Sequence, residues 1–253
     1  MNFIAVFRKE IMEQWRTYRF LIVAAVLVLF GLTSPLVAKF TPQMLKAIPG
    51  VPATLLDAIP APTVADAIGQ YIKNMNQFGI LLALLVTMGV VVQEKERGTA
   101  AFFLTRPVSR ETFVLAKFAA VVVTLLAGVI IAALGSWYYT YVLFEPLPWG
   151  PYLAANGLMM LAFMVYVSLS IFGSTIAKSQ GVAVGLAVFF LVIVSVIGSL
   201  PSIGNYTPAR LFGWAAQLML GAGGSAWPAL GISLGLIVVA LLAACLIFRR
   251  QEI

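Results

Sequence analysis

From Phe20 to Ala38 the chain runs nineteen residues without a charged side chain. As a helix that stretch reaches roughly 28 Å at 1.5 Å per residue, about the thickness of a bilayer's hydrocarbon core. Five more apolar runs follow, at 78–92, 118–144, 152–177, 181–200 and 228–248, and none contains Asp, Glu, Lys or Arg. With 62% of its residues hydrophobic and 10% charged, a chain of 253 residues cannot hide this surface in one soluble core. The sequence therefore predicts an all-α integral membrane protein with six transmembrane helices, forming a single domain over residues 1–253.

The remaining segments set the topology. Residues 1–19 are amphipathic, with Phe3, Phe7, Ile11 and Trp15 recurring every fourth position on one helical face. They predict an interface helix that is retained, since Glu10 and Glu13 make a poor secretory leader. Residues 39–77 form an outer loop and an extension of the second helix. Thr41 before Pro42, and Thr54 three residues before Asp57, read as helix starts, so short surface helices and a loose loop both remain open there. Thr63 with Asp66 forms a capping box, and a helix beginning near Val64 is about 43 Å long by the end of 78–92. Along the third span and its entrance, small residues at 116, 120, 124, 128, 132 and 136 form a ridge that admits another backbone in lipid, and Trp137, Tyr138, Tyr139 and Tyr141 mark a membrane interface. Lys178, Ser179 and Gln180 form so short a turn that the fourth and fifth helices must be antiparallel neighbours. Residues 201–226, with half a span's worth of apolar residues, predict interfacial or re-entrant helices on the outer face.

Six spans put both termini on one side. With the N- and C-termini cytoplasmic, twelve Lys and Arg fall inside and only Lys39, Lys46, Lys73 and Arg210 outside, which satisfies the positive-inside rule. Net charge of +7 is thereby explained by topology, and no basic patch interleaved with aromatics points to nucleic acid.

Residues 93–117, between the second and third spans, hold five of the sixteen basic and three of the nine acidic residues. Glu94, Lys95, Glu96 and Arg97 lead into Gly98 and Thr99, then into an apolar turn containing Phe102 and Phe103; Arg106 and Pro107 end it, and Ser109 caps the next helix. The pattern describes a short helix on the membrane surface with charges at its entrance. The run EKERGT, an apolar turn, then RPVSR and a lysine resembles the cytoplasmic loop of type-2 ABC transporter permeases. That resemblance implies a coupling loop at 93–117 that docks on a separate ATP-hydrolysing subunit. Glu94, Glu96 and Arg97 would make charged contacts, Gly98 would permit the turn, Thr99 would cap the helix, Phe102 and Phe103 would pack into membrane or groove, and Arg106 and Pro107 would set the exit. It further implies two copies of the ATPase, which would carry ATP and Mg; a second copy of this permease or a related one; and a bacterial or archaeal cell membrane as the location. Residues 1–19 would be the elbow before the first span.

What is missing bounds the chemistry. There is no histidine, so Ser-His proteolysis, zinc proteases built on HExxH and histidine proton relays are removed. The single cysteine, Cys245, cannot build a metal site and has no partner for an intrachain disulfide. Apolar spans free of charge disfavour a self-contained ion-coupled transporter, and without a GxxxxGK[ST] loop the chain is not expected to hydrolyse ATP itself. The resemblance implies a permease that exports an amphipathic or lipid-like solute; the alternative is a non-transporting membrane anchor or assembly scaffold. No catalytic, cofactor-binding or metal-binding residue is expected in this chain.

Overall fold

The computed structural model describes residues 3–49, 60–98 and 109–251. Among the described residues the regular elements are all helical, and six helices are long and apolar enough to cross a membrane. The helices are α1 (Phe3–Arg16), α2 (Arg19–Lys46), α3 (Val64–Asn74), α4 (Ile80–Thr87), α5 (Val92–Glu96), α6 (Arg110–Leu143), α7 (Trp149–Ile176), α8 (Gln180–Ser199), α9 (Ala209–Met219) and α10 (Trp227–Arg250). One end of the bundle gathers Arg19, Arg97, Lys117, Lys178 and Arg249, and is called the basic end; the other carries Trp137, Tyr138 and Trp149.

The first span is longer than its uncharged run. α2 continues for 28 residues through Pro35 and Pro42, so Thr41 and Pro42 do not start a new helix. Lipid supplies no partners for backbone groups, which favours continuing a helix through a proline over ending it early. Thr54 and Asp57 lie outside the described residues. The second span is segmented. The Thr63–Asp66 capping box starts α3, a π-helical turn at Met75–Gly79 joins it to α4, and a non-helical turn at Met88–Val91 separates α4 from α5.

α6 starts on Ser109, whose hydroxyl accepts from the Thr112 amide at 3.1 Å. At 34 residues it is about 51 Å long, so it outreaches the hydrocarbon core. Every member of its small-residue ridge is buried. Gly128 and Ala132 receive α2, and a Cβ placed on Gly31 would sit 2.5 Å from the Ala132 carbonyl oxygen. Ala116, Ala120 and Thr124 face α1, where Val6 packs beside Ala116 and Gln14 accepts from Thr124 at 2.6 Å. The ridge thus serves packing within the chain.

α7 is central. Its buried residues, from Tyr152 to Thr175, point in every direction, as expected of a helix surrounded by others. Towards the aromatic end it joins an uncharged polar chain: Tyr71 donates to Asn156 at 2.6 Å, Asn74 to Ser34 at 2.9 Å and Tyr152 to the Ala133 carbonyl at 2.9 Å. α9 lies against α7 through Phe212 and Phe163, with Leu211, Phe212, Trp214, Ala215 and Met219 buried. By contrast α8 buries only Ala183 and Ala187.

Candidate functional site

The site forms around α5, five residues long. An α-helix turns about 100° per residue, so four consecutive side chains point to four sides. Each side is occupied by a different neighbour. The Gln93 amide oxygen accepts from Arg19 at 3.0 Å, at the start of α2. Glu94 accepts at 2.7 Å from both Lys9 of α1 and Lys117 of α6. Lys95 donates to the Thr175 and Ala177 carbonyls at 2.9 Å each, closing the C-terminus of α7. Glu96 accepts from the Gln180 amide at 3.0 Å, at the first turn of α8. Cations at helix C-termini and carboxylates at N-termini are the stabilising arrangement. Above α5, the Ser174 hydroxyl accepts from the Val91 and Val92 amides at 3.1 and 3.2 Å, satisfying donors that the Met88–Val91 turn releases.

The Glu94 side belongs to a buried ionic cluster. Lys117, 1% exposed, reaches Glu10 at 3.0 Å and Glu94 at 2.7 Å. Lys9 reaches Glu10 at 3.0 Å, Glu13 at 2.8 Å and Glu94 at 2.7 Å. Burial works against the Lys9 charge, but the Glu10 field and the bonds to Glu13 and Glu94 outweigh it and hold its pKa above the ordinary lysine value. Burial likewise opposes ionisation of Glu13, and the bond from Lys9 with the fields of Lys9, Lys117 and Arg19 carries its pKa below the ordinary carboxylate value. Glu10, Glu13 and Glu94 bring carboxylate oxygens within 4.8 Å of one another, a spacing that could hold a metal ion, yet two ammonium groups already lie among them. Close by, Arg110 donates to the Phe248 and Arg249 carbonyls at 3.1 Å each, and also to Gln251, closing the end of α10.

The family model for ABC-2 family transporter proteins matches residues 4–253. The chain belongs to that family. It is also 24% identical, over 98% of both chains, to a protein of Bacillus subtilis named as an uncharacterized transmembrane protein, YxlG. A type-2 ABC permease is the membrane-embedded subunit of a transporter, and members of the family generally pair with ABC ATPase subunits. The six long apolar helices agree with that placement in a membrane.

For this ABC-2 permease the expected coupling residues divide three ways. Thr99, Phe102, Phe103, Arg106 and Pro107 lie outside the described residues. Arg97 and Gly98 are exposed where α5 ends, and Gly98 has φ 67°, a left-handed conformation that glycine adopts without steric cost. Glu94 and Glu96 both bond within the chain. Glu94 is turned inward with 9% of its side chain exposed, and Glu96 is exposed and accepts from the Gln180 amide of α8. Their charges tie the chain to itself. Sequence reasoning missed Lys9, Glu10, Lys95 and Lys117. The spacing of Val6, Glu10 and Gln14 was the available signal, since it places a carboxylate and an amide on one face with an apolar residue.

Proposed function

We propose that this permease is the transmembrane half of an ATP-driven exporter of an amphipathic or lipid-like solute. A separate ATPase carrying ATP and Mg docks on the 93–117 loop at the basic end, which faces the cytoplasm of a bacterial or archaeal cell. Two copies of the chain, or this chain and a related permease, pair with two ATPase subunits. The observation that carries the reading is the set of bonds around α5. Residues 93–96 tie it to α1, α2, α6, α7 and α8, so a displacement of the adjoining loop is delivered to four spans and the elbow together. The positive-inside count supports the orientation, and spans whose buried polar groups are uncharged suit an amphipathic solute.

The test is to purify the tagged permease from native membranes, identify any co-purifying phosphate-loop ATPase and assay its hydrolysis with candidate solutes. In parallel, Ser109→Cys in a Cys245→Ala background is labelled with membrane-impermeant maleimide, in intact and opened cells. The expected result is a bound ATPase and labelling only after opening. Labelling of intact cells, or the absence of any ATPase from the purified complex, overturns the reading.

A further inference from the structure

A cavity of about 320 Å³ opens at the basic end between α1, α2, α5 and α6, lined by Lys9, Glu10, Glu13, Gln14, Thr17, Arg19, Val90, Gln93, Glu94, Arg97 and Lys117. Its size is at the lower end of pockets that take a small ligand, about 300–1,000 Å³. Among the described residues four cations face three carboxylates, so their sum is one positive charge. The positions of the charges say where it resides. Lys9 and Lys117 hold all three carboxylates. Among the described residues Arg19 makes one side-chain hydrogen bond, to the neutral Gln93 amide, although its field reaches Glu13. Arg97 has no carboxylate partner among the described residues, and it is exposed.

Two guanidinium groups flanking a cavity with an excess charge of one suit a single monoanion, and their planar donors match a phosphate in particular. The rim identifies the source. Trp15 and Tyr18, both about two-thirds exposed, are chain neighbours of the lining residues Gln14, Thr17 and Arg19, and the Trp15 ring packs on Phe20 at 5.1 Å. From there the exposed Leu21 and Ile22 continue directly along α2, the first span. Tryptophan and tyrosine favour the headgroup level of a bilayer, so the cavity mouth and an acyl-facing surface are continuous. We propose that this cavity seats the phosphodiester headgroup of an anionic glycerophospholipid between Arg19 and Arg97, with the lipid's chains lying along Leu21 and Ile22. The bound lipid would bridge the elbow and the end of the second span, and this does not depend on the proposed export function. Basic pockets between helices at a membrane surface are a known means of holding such headgroups.

The test uses the full chain in nanodiscs of phosphatidylcholine alone or mixed with phosphatidylglycerol, reading bound phosphatidylglycerol per chain by native mass spectrometry. The variants are Arg19→Gln, Arg97→Gln, the double variant, and Lys178→Gln with Arg250→Gln as a control of equal charge change at exposed sites of the same end. Wild type and control should retain phosphatidylglycerol, with affinity falling about tenfold for each of the two arginines removed. If the double variant does not fold, a photoreactive phosphatidylglycerol should label wild-type peptides containing residues 9–19 or 93–97. Equal retention by the double variant, labelling elsewhere, or saturation of the site by glycerol 3-phosphate in place of the lipid each overturns the proposal.

Discussion

Replacing Lys117 with methionine tests whether the buried charges at α5 are a bonded unit. The side chain is 1% exposed, lies 4.8 Å from the Phe113 ring centroid and holds Glu10 and Glu94 at 3.0 and 2.7 Å. Methionine keeps the packing and removes the charge. Taking one partner out of a buried ion pair typically costs about 3–5 kcal/mol, because the remaining charge stays desolvated. Here Lys9 still reaches both orphaned carboxylates, so the lower end applies, and Lys117→Met should destabilise by about 3 kcal/mol, or roughly a hundredfold in the unfolding equilibrium. Equilibrium unfolding in mixed micelles, followed by tryptophan fluorescence, measures this. Removing the charges together should behave differently, since a neutral interior avoids the desolvation cost. Lys117→Met with Glu10→Gln and Glu94→Gln should recover most of the loss, and the Lys117→Met/Glu94→Gln cycle should show a coupling of about 1–3 kcal/mol. A cost below about 1 kcal/mol for Lys117→Met, or a cycle additive within about 0.5 kcal/mol, refutes the account of a desolvated cluster.

Other consequences follow from neighbouring bonds. Glu96→Ala removes the acceptor at the Gln180 amide and should weaken the first turn of α8 by about 1 kcal/mol, read as faster amide exchange at residues 180–183 than in wild type. Gly31→Val places side-chain atoms where the Ala132 backbone lies and should cost about 1–3 kcal/mol or separate α2 from α6, measurable as a lower thermal midpoint; Gly69→Val, at an open position, should not. Stability should also depend on pH in a defined sense. Glu13 has its pKa lowered from 4.5, so its contribution is present above about 4.5 and lost as pH falls through the folded value; Lys9, raised from 10.5, contributes below about 10.5 and loses this only as pH rises through its folded value. Thermal midpoints should therefore be flat between these limits and fall on the acid side, and Glu13→Gln should reduce that acid slope.

The spans were legible because lipid imposes a simple requirement: about twenty uncharged residues in a helix that satisfies its own backbone. The same requirement also explains where boundaries moved. Pro42 reads as a helix start by soluble-protein rules, yet α2 continues through it to Lys46. The segmentation of the second span was not legible, because the amides freed at Met88–Val91 find their acceptor in Ser174, more than eighty residues away along the chain. Local patterns do not encode a partner at that distance.

The ionic cluster escaped notice for a related reason. On a soluble protein the face bearing Phe3, Phe7, Ile11 and Trp15 would be the one to bury, and the charged face would meet water. Here the preference is reversed: Phe3 and Trp15 remain exposed while Val6, Glu10 and Gln14 turn against α6, the arrangement that an interface helix with its apolar face in the bilayer would require. An inward-facing carboxylate then requires a cation, and Lys117 supplies it from a position that sequence reading treats as the flank of a span. Charges flanking a span can therefore bond to one another inside the protein as well as anchor it at the membrane surface. Among the described residues five of them do so, at the point where the proposed coupling segment begins.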